Sequence, residues 1–251
     1  MSGHSKWASI KHKKAVVDAK KGKEFTRVAN MITIAAKQGG ADPKMNFALR
    51  LAIDKAKASN MPSANIERSI KRGTGELGGV APEELIYEGY APGGVAILIE
   101  AMTDNRNRTA SEIRSTFSKY GGSMADAGSV SYLFEQKGEL ILLNKSQKFS
   151  KEEIENFILD SVAEDFEDDN GIITIYTKST NLQKVKEDLE TKGAVIDSAA
   201  LIYKPKNEIK INEESMAVRI LKLIDFIEES EDITNVYANF DISDEILSKL
   251  S

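Results

Sequence analysis

Asp165-Phe166-Glu167-Asp168-Asp169-Asn170-Gly171-Ile172-Ile173-Thr174-Ile175-Tyr176 is the stretch that decides how the second half of the chain is organised. Asn170-Gly171 supplies the pair of positive-φ residues that a tight two-residue hairpin requires. A short acidic strand at 165–167 therefore precedes the turn, and an apolar strand at 172–176 follows it. Outward from the hairpin, 151–162 has helical spacing on one side. On the other, Leu182, Val185 and Leu189 share a helical face that ends before Gly193. Strands at 139–143 and 195–203 close the set. The order is β-α-β-β-α-β over residues 138–204, that of a ferredoxin-like domain.

The flanks on either side complete each other. Before the complete unit come a strand at 95–102, a helix at 107–120 and a strand in which Val130, Tyr132 and Phe134 alternate with polar neighbours. Ala110, Ile113, Phe117 and Tyr120 share the helix face, and Thr109 with Glu112 fits a capping box. After Lys204-Pro205-Lys206 come a helix at 213–228 and a strand at 235–240. Residues 79–137 and 205–251 thus read as one discontinuous α+β domain. Residues 1–78 read as a helical domain behind a polar tail. Its stripes are Phe25, Val28, Ala29, Ile32 and Ala36, then Leu49, Ala52, Ile53 and Ala56 after Asp42-Pro43, then Ile66 and Ile70 after Met61-Pro62. The expected fold is α+β: a basic N-terminal helical domain, then two ferredoxin-like-type domains, the last inserted into the middle one.

The net charge of −5 conceals a division. Residues 1–73 hold 16 Lys/Arg against 5 Asp/Glu, a net of +11, and the remainder holds 18 against 34, a net of −16. Such asymmetry is the signature of a polyanion-binding arm on an acidic body. The chain has no cysteine, so no disulfide framework or thiolate chemistry is open to it. No apolar run approaches the roughly 20 residues of a membrane span. The N-terminus has neither a secretory signal nor an Arg/Ser-rich transit extension, so a bacterial cytoplasmic protein, monomeric and away from membranes, is expected.

Several sites of chemistry are excluded. Gly73-Thr74-Gly75-Glu76-Leu77-Gly78 spells GxGxxG, but a helix precedes it and a linker follows, where a dinucleotide site needs the reverse. Gly79-Val80 stands where a phosphate loop needs Lys-Ser/Thr. The 164–169 acidic run lacks the glycine and bidentate Glu of a calcium loop. No Ser/His/Asp set or carboxylate pair can be assembled. No catalytic residue, metal site, cofactor or small-molecule substrate is expected.

What remains is cationic. His4, Lys6, Trp7, Lys11, His12, Lys13, Lys14, Lys20, Lys21, Lys23 and Arg27 form a dense basic sequence with aromatic rings interleaved. Lysine and arginine neutralise phosphates and release counterions, and an indole stacks on unpaired bases. Arg68, Lys71 and Arg72 lie off the apolar face of the third helix. In Thr103-Asp104-Asn105-Arg106-Asn107-Arg108-Thr109 a strand meets a helix N-terminus. There Arg106 and Arg108 either help bind an anion or flank a turn that only caps the helix.

Ser2-Gly3-His4-Ser5-Lys6-Trp7-Ala8, Ile10-Lys11-His12-Lys13-Lys14, Asp42-Pro43, Met61-Pro62 with Asn65-Ile66-Glu67-Arg68, Gly73-Thr74-Gly75, Tyr87-Glu88-Gly89-Tyr90, the 103–109 segment and Gly128-Ser129-Val130-Ser131-Tyr132 together resemble the YebC/PmpR family. Its relatives include the mitochondrial translational activator of cytochrome c oxidase subunit I. The resemblance spans essentially the whole chain. It implies a helical N-terminal domain, two α+β domains with the last inserted, and no enzymatic activity. On the target it divides. One branch implies DNA-binding transcriptional regulation. The other, preferred on the basic and aromatic tail, implies a ribosome- or RNA-associated translation factor that helps difficult sequences such as proline runs.

Overall fold

The computed structural model describes residues 19–78, 82–143, 149–169, 171–243 and 245–246. Three helices come first, α1 (Ala19–Gly39), α2 (Phe47–Ala58) and α3 (Ser63–Gly73). Next are β1 (Glu83–Tyr90), β2 (Ala96–Thr103), α4 (Arg106–Lys119) and β3 (Ser123–Ala125). Then follow β4 (Phe134–Leu143), α5 (Lys151–Leu159), β5 (Asp165–Asp169), β6 (Ile172–Lys178), α6 (Leu182–Thr191) and β7 (Ser198–Pro205). Last are β8 (Ile209–Ile211), α7 (Glu214–Glu228), β9 (Ile233–Ala238) and β10 (Phe240–Ile242). The chain divides into two compact units, residues 134–204 and the residues on either side of them.

The 134–204 unit is an antiparallel sheet in the order β5-β6-β4-β7, the ferredoxin-like arrangement. Alternation along its central strands turns Leu140, Leu142, Ile173 and Ile175 to one face, all fully buried. Ile154 and Ile158 of α5 and Leu182, Val185 and Leu189 of α6 are buried with them. Ser150 caps α5 in a reciprocal box with Glu153.

In the other unit, the three helices bury Val28, Ile32, Leu49, Ala52, Ala56, Met61 and Ile66 in a core of their own. Gly73 ends α3 where an added Cβ would strike the Thr33 carbonyl, so this glycine serves a close approach of α3 to α1. The sheet of this unit runs β3-β1-β2-β9. Ile113 and Phe117 of α4 and Ile220, Leu223, Ile224 and Ile227 of α7 cover one face, against Tyr87, Ile97, Ile99, Val236 and Ala238. α1 lies against β2. Two helices on one face of a four-stranded antiparallel sheet is again ferredoxin-like in space. Here, however, the interior strand β1 leads the chain instead of lying between the helices.

Several local expectations are corrected. Strand β1 was not read from the sequence, because Glu83, Glu84 and Glu88 break its apolar alternation. The strand expected through Val130, Tyr132 and Phe134 is instead a loop and a 3-10 turn at Ser131–Leu133, and β4 starts only at Phe134. Glu88 causes this. Its buried carboxylate accepts the N–H groups of Gly128 (2.8 Å), Val130 (2.5 Å) and Ser131 (3.0 Å), which a strand would have given to a neighbour. The cap of α4 is Asn105, accepting from the Arg108 N–H, and not the Thr109–Glu112 box. Asn46, rather than Asp42-Pro43, starts α2. The final strand breaks at Asn239, whose side chain accepts the Ala96 N–H at 2.7 Å, and β10 then pairs in parallel with β8.

Candidate nucleic-acid interface

The cationic residues singled out in the sequence separate into distinct environments. His4, Lys6, Trp7, Lys11, His12, Lys13 and Lys14 lie outside the described residues, and Lys20 and Lys21 are in the first turn of α1. Lys23 donates to the Glu229 carbonyl at 2.8 Å. Arg27 donates to the carbonyls of Glu228 and of Ser230, the latter at 3.0 Å. These oxygens end α7, where the helix leaves its last carbonyls unpaired and its dipole is negative. The two cations therefore cap a helix some 200 residues away and dock α1 against the sheet domain.

Around the α7–β9 turn the structure gathers Arg72 and Arg108, with Thr26 and Asn30 of α1 alongside. With Pro82, Asp104, Glu231 and Asp232 they line a cleft of about 200 Å³. Asp232 is its organising group. Its carboxylate meets Arg108 Nη2 at 2.8 Å, Thr109 Oγ1 at 2.7 Å and Thr103 Oγ1 at 3.1 Å. Its backbone carbonyl accepts the Met102 N–H at 2.7 Å. Hydrogen bonding to Asp232 and the charge of that carboxylate raise the Arg108 guanidinium above its ordinary value. Nothing in the sequence marked Asp232. Its role exists only because β9 pairs with β2 and brings Ile233 opposite Ala101.

The 103–109 segment thus spends its polar groups on its own turn. The Asn105 N–H donates to Thr103 Oγ1 (2.9 Å), the Asn105 side chain caps α4, and Tyr87 Oη donates to the Arg106 carbonyl (3.2 Å). Burial pushes the Tyr87 hydroxyl up, with Arg106 opposing. Two arginines face three carboxylates in the cleft, so it carries no surplus of positive charge.

Other cations stand in solvent. Arg68 and Lys71 are exposed on one side of α3, and Arg106 is exposed at the start of α4. Arg72, half-buried, turns to the cleft. Among the described residues no group of His, Asp and Glu could hold a metal ion, and no helix is long and apolar enough to cross a membrane.

Comparison with known proteins agrees along nearly the whole length. Residues 5–76 match the TACO1/YebC protein N-terminal domain, and residues 82–240 match the TACO1/YebC second and third domain. A protein of Halothermothrix orenii, named probable transcriptional regulatory protein, is 49% identical over 100% of this chain and 99% of its own. One of Geobacter sulfurreducens with the same designation is 51% identical over 100% of both chains. The crystal structure of a conserved hypothetical protein from Aquifex aeolicus superposes with a TM-score of 0.86 at 46% identity, covering 92% of this chain and 95% of that one. By both its domain matches and its full-length relatives, the chain belongs to the TACO1/YebC family.

Proposed function

We propose that this protein is a non-enzymatic regulator of gene expression that binds nucleic acid, and that its target is RNA on the ribosome. The observation that carries the reading is the concentration of cations: +11 in residues 1–73 against −16 elsewhere. Phosphates attract the one and are repelled by the other, which orients the molecule on a polyanion. Arg68, Lys71 and Arg106, exposed to solvent, extend the phosphate-facing set beyond the N-terminal lysines. Trp7 among those lysines suits the unpaired bases that folded RNA offers and duplex DNA does not. In this reading the protein works as a cytoplasmic monomer without a cofactor. It has three domains: the helices, the discontinuous sheet domain and the inserted unit. Its action is to assist synthesis of difficult sequences such as proline runs.

The names of the relatives favour a second reading, a DNA-binding transcriptional regulator. Cosedimentation separates the two. Under the first reading the protein pellets with ribosomes at low salt, and Lys11→Gln/Lys13→Gln/Lys14→Gln weakens that association. Failure to pellet, with promoter footprints that survive excess competitor DNA, would establish the second instead.

A further inference from the structure

One exposed aromatic residue stands on a loop whose backbone is held from several directions. Residues 126–133 form a loop whose N–H groups at 128, 130 and 131 all bind the Glu88 carboxylate. Burial alone would push that carboxyl up, but these donors together hold it below the usual carboxylate range, so the anchor is ionised at neutral pH. Tyr90 Oη donates to the Ser129 carbonyl at 2.8 Å, and Val130 is fully buried. The Lys206 ammonium donates to the Tyr132 carbonyl at 2.9 Å, and its N–H to the Leu133 carbonyl at 2.9 Å. On this fixed backbone the Tyr132 side chain is 63% exposed. The backbone that carries the ring thus has little freedom left to lose on contact, and a tyrosine adds only two side-chain torsions, which favours an efficient anchor.

The surroundings select the partner. Anchors for proteins sit among apolar neighbours that exclude water. Tyr132 instead follows exposed Asp126, Ala127 and Gly128 and half-buried Ser129 and Ser131, and the apolar side chain of this stretch, Val130, is buried. A nucleobase needs only a flat face, and its phosphate needs a nearby cation. Lys206 is that cation: exposed, beside the Tyr132 backbone, with donors to spare after its one carbonyl contact.

We infer that Tyr132 is a stacking platform for an unpaired base of RNA, with Lys206 placed to meet the adjoining phosphate. The inference rests on the nucleic-acid reading and gives it a site outside the basic N-terminal region. The full-length protein is titrated by fluorescence anisotropy against labelled single-stranded oligoadenylate and against an RNA duplex of the same length. Tyr132→Ala is expected to weaken single-strand binding about tenfold and leave duplex binding unchanged, while Tyr132→Phe and Tyr132→Trp retain affinity. If the protein binds RNA and Tyr132→Ala binds the single strand as tightly as wild type, the stacking site is wrong while the functional reading stands. An equal loss in Tyr132→Phe would also overturn it, since a ring would then not suffice. If the wild-type protein binds neither RNA at low salt, both fall together.

Discussion

Glu139 sits on β4 directly across from Tyr176 of β6, turned away from the face that carries Leu140 and Leu142. Burial pushes its carboxyl up to about 7, with Lys204 opposing and Glu167 adding to the shift. Lys204 is engaged elsewhere, 3.5 Å from Glu167 and over the Tyr176 ring. The unfolded chain ionises Glu139 near its ordinary 4.5, whereas the folded chain holds the proton until about 7. Stability from this group is therefore complete below 4.5, declines as pH rises to 7, and is absent above it. Glu139→Gln should raise the melting temperature at pH 8, by the equivalent of about 3 kcal/mol at most, and leave it unchanged near pH 4. Melting curves of the two proteins across that range check the sign; a variant less stable at pH 8 would contradict it.

At the level of elements, the position of α1 depends on contacts that reach across more than 200 residues of sequence, Arg27 to Glu228 and Lys23 to Glu229. Arg27→Ala should cost about 1–2 kcal/mol, the range for a charge on a helix C-terminus and for hydrogen bonds made by a charged group. It should also speed amide exchange in α1 and at the end of α7. Arg68→Gln/Lys71→Gln, by contrast, should lower RNA affinity without lowering the melting temperature, because those side chains stand in solvent. The same contrast shows what the sequence could and could not disclose. The 165–176 hairpin, the Leu182-Val185-Leu189 stripe and the three N-terminal helices were legible because turn chemistry and apolar period are local signals. β1 was hidden by Glu88, a buried acid whose partners lie 40 and more residues away. Val130, Tyr132 and Phe134 imitated a strand because only one of the three, Phe134, belongs to one. Lys23 and Arg27 looked identical to their basic neighbours, since a helix end that would claim them is invisible in one dimension. Asp232 was missed for the same reason.

For the whole molecule, the account is one of charge separated along a chain and then fixed by folding. Two basic residues of α1, Lys23 and Arg27, dock that helix on the end of α7, while Arg68, Lys71 and Arg106 stand exposed. Phosphate binding by those cations has a thermodynamic signature that no scaffold role would share: affinity falls steeply with salt because bound counterions are released. The most direct test is the slope of log affinity against log salt for single-stranded RNA, measured for the full-length protein and for Lys11→Gln/Lys13→Gln/Lys14→Gln. Removing three phosphate contacts should make the slope shallower by about 2, at roughly 0.7 per charge, with weaker binding at every salt concentration. An unchanged slope and affinity would contradict the assignment of the basic N-terminal region as the nucleic-acid-binding surface.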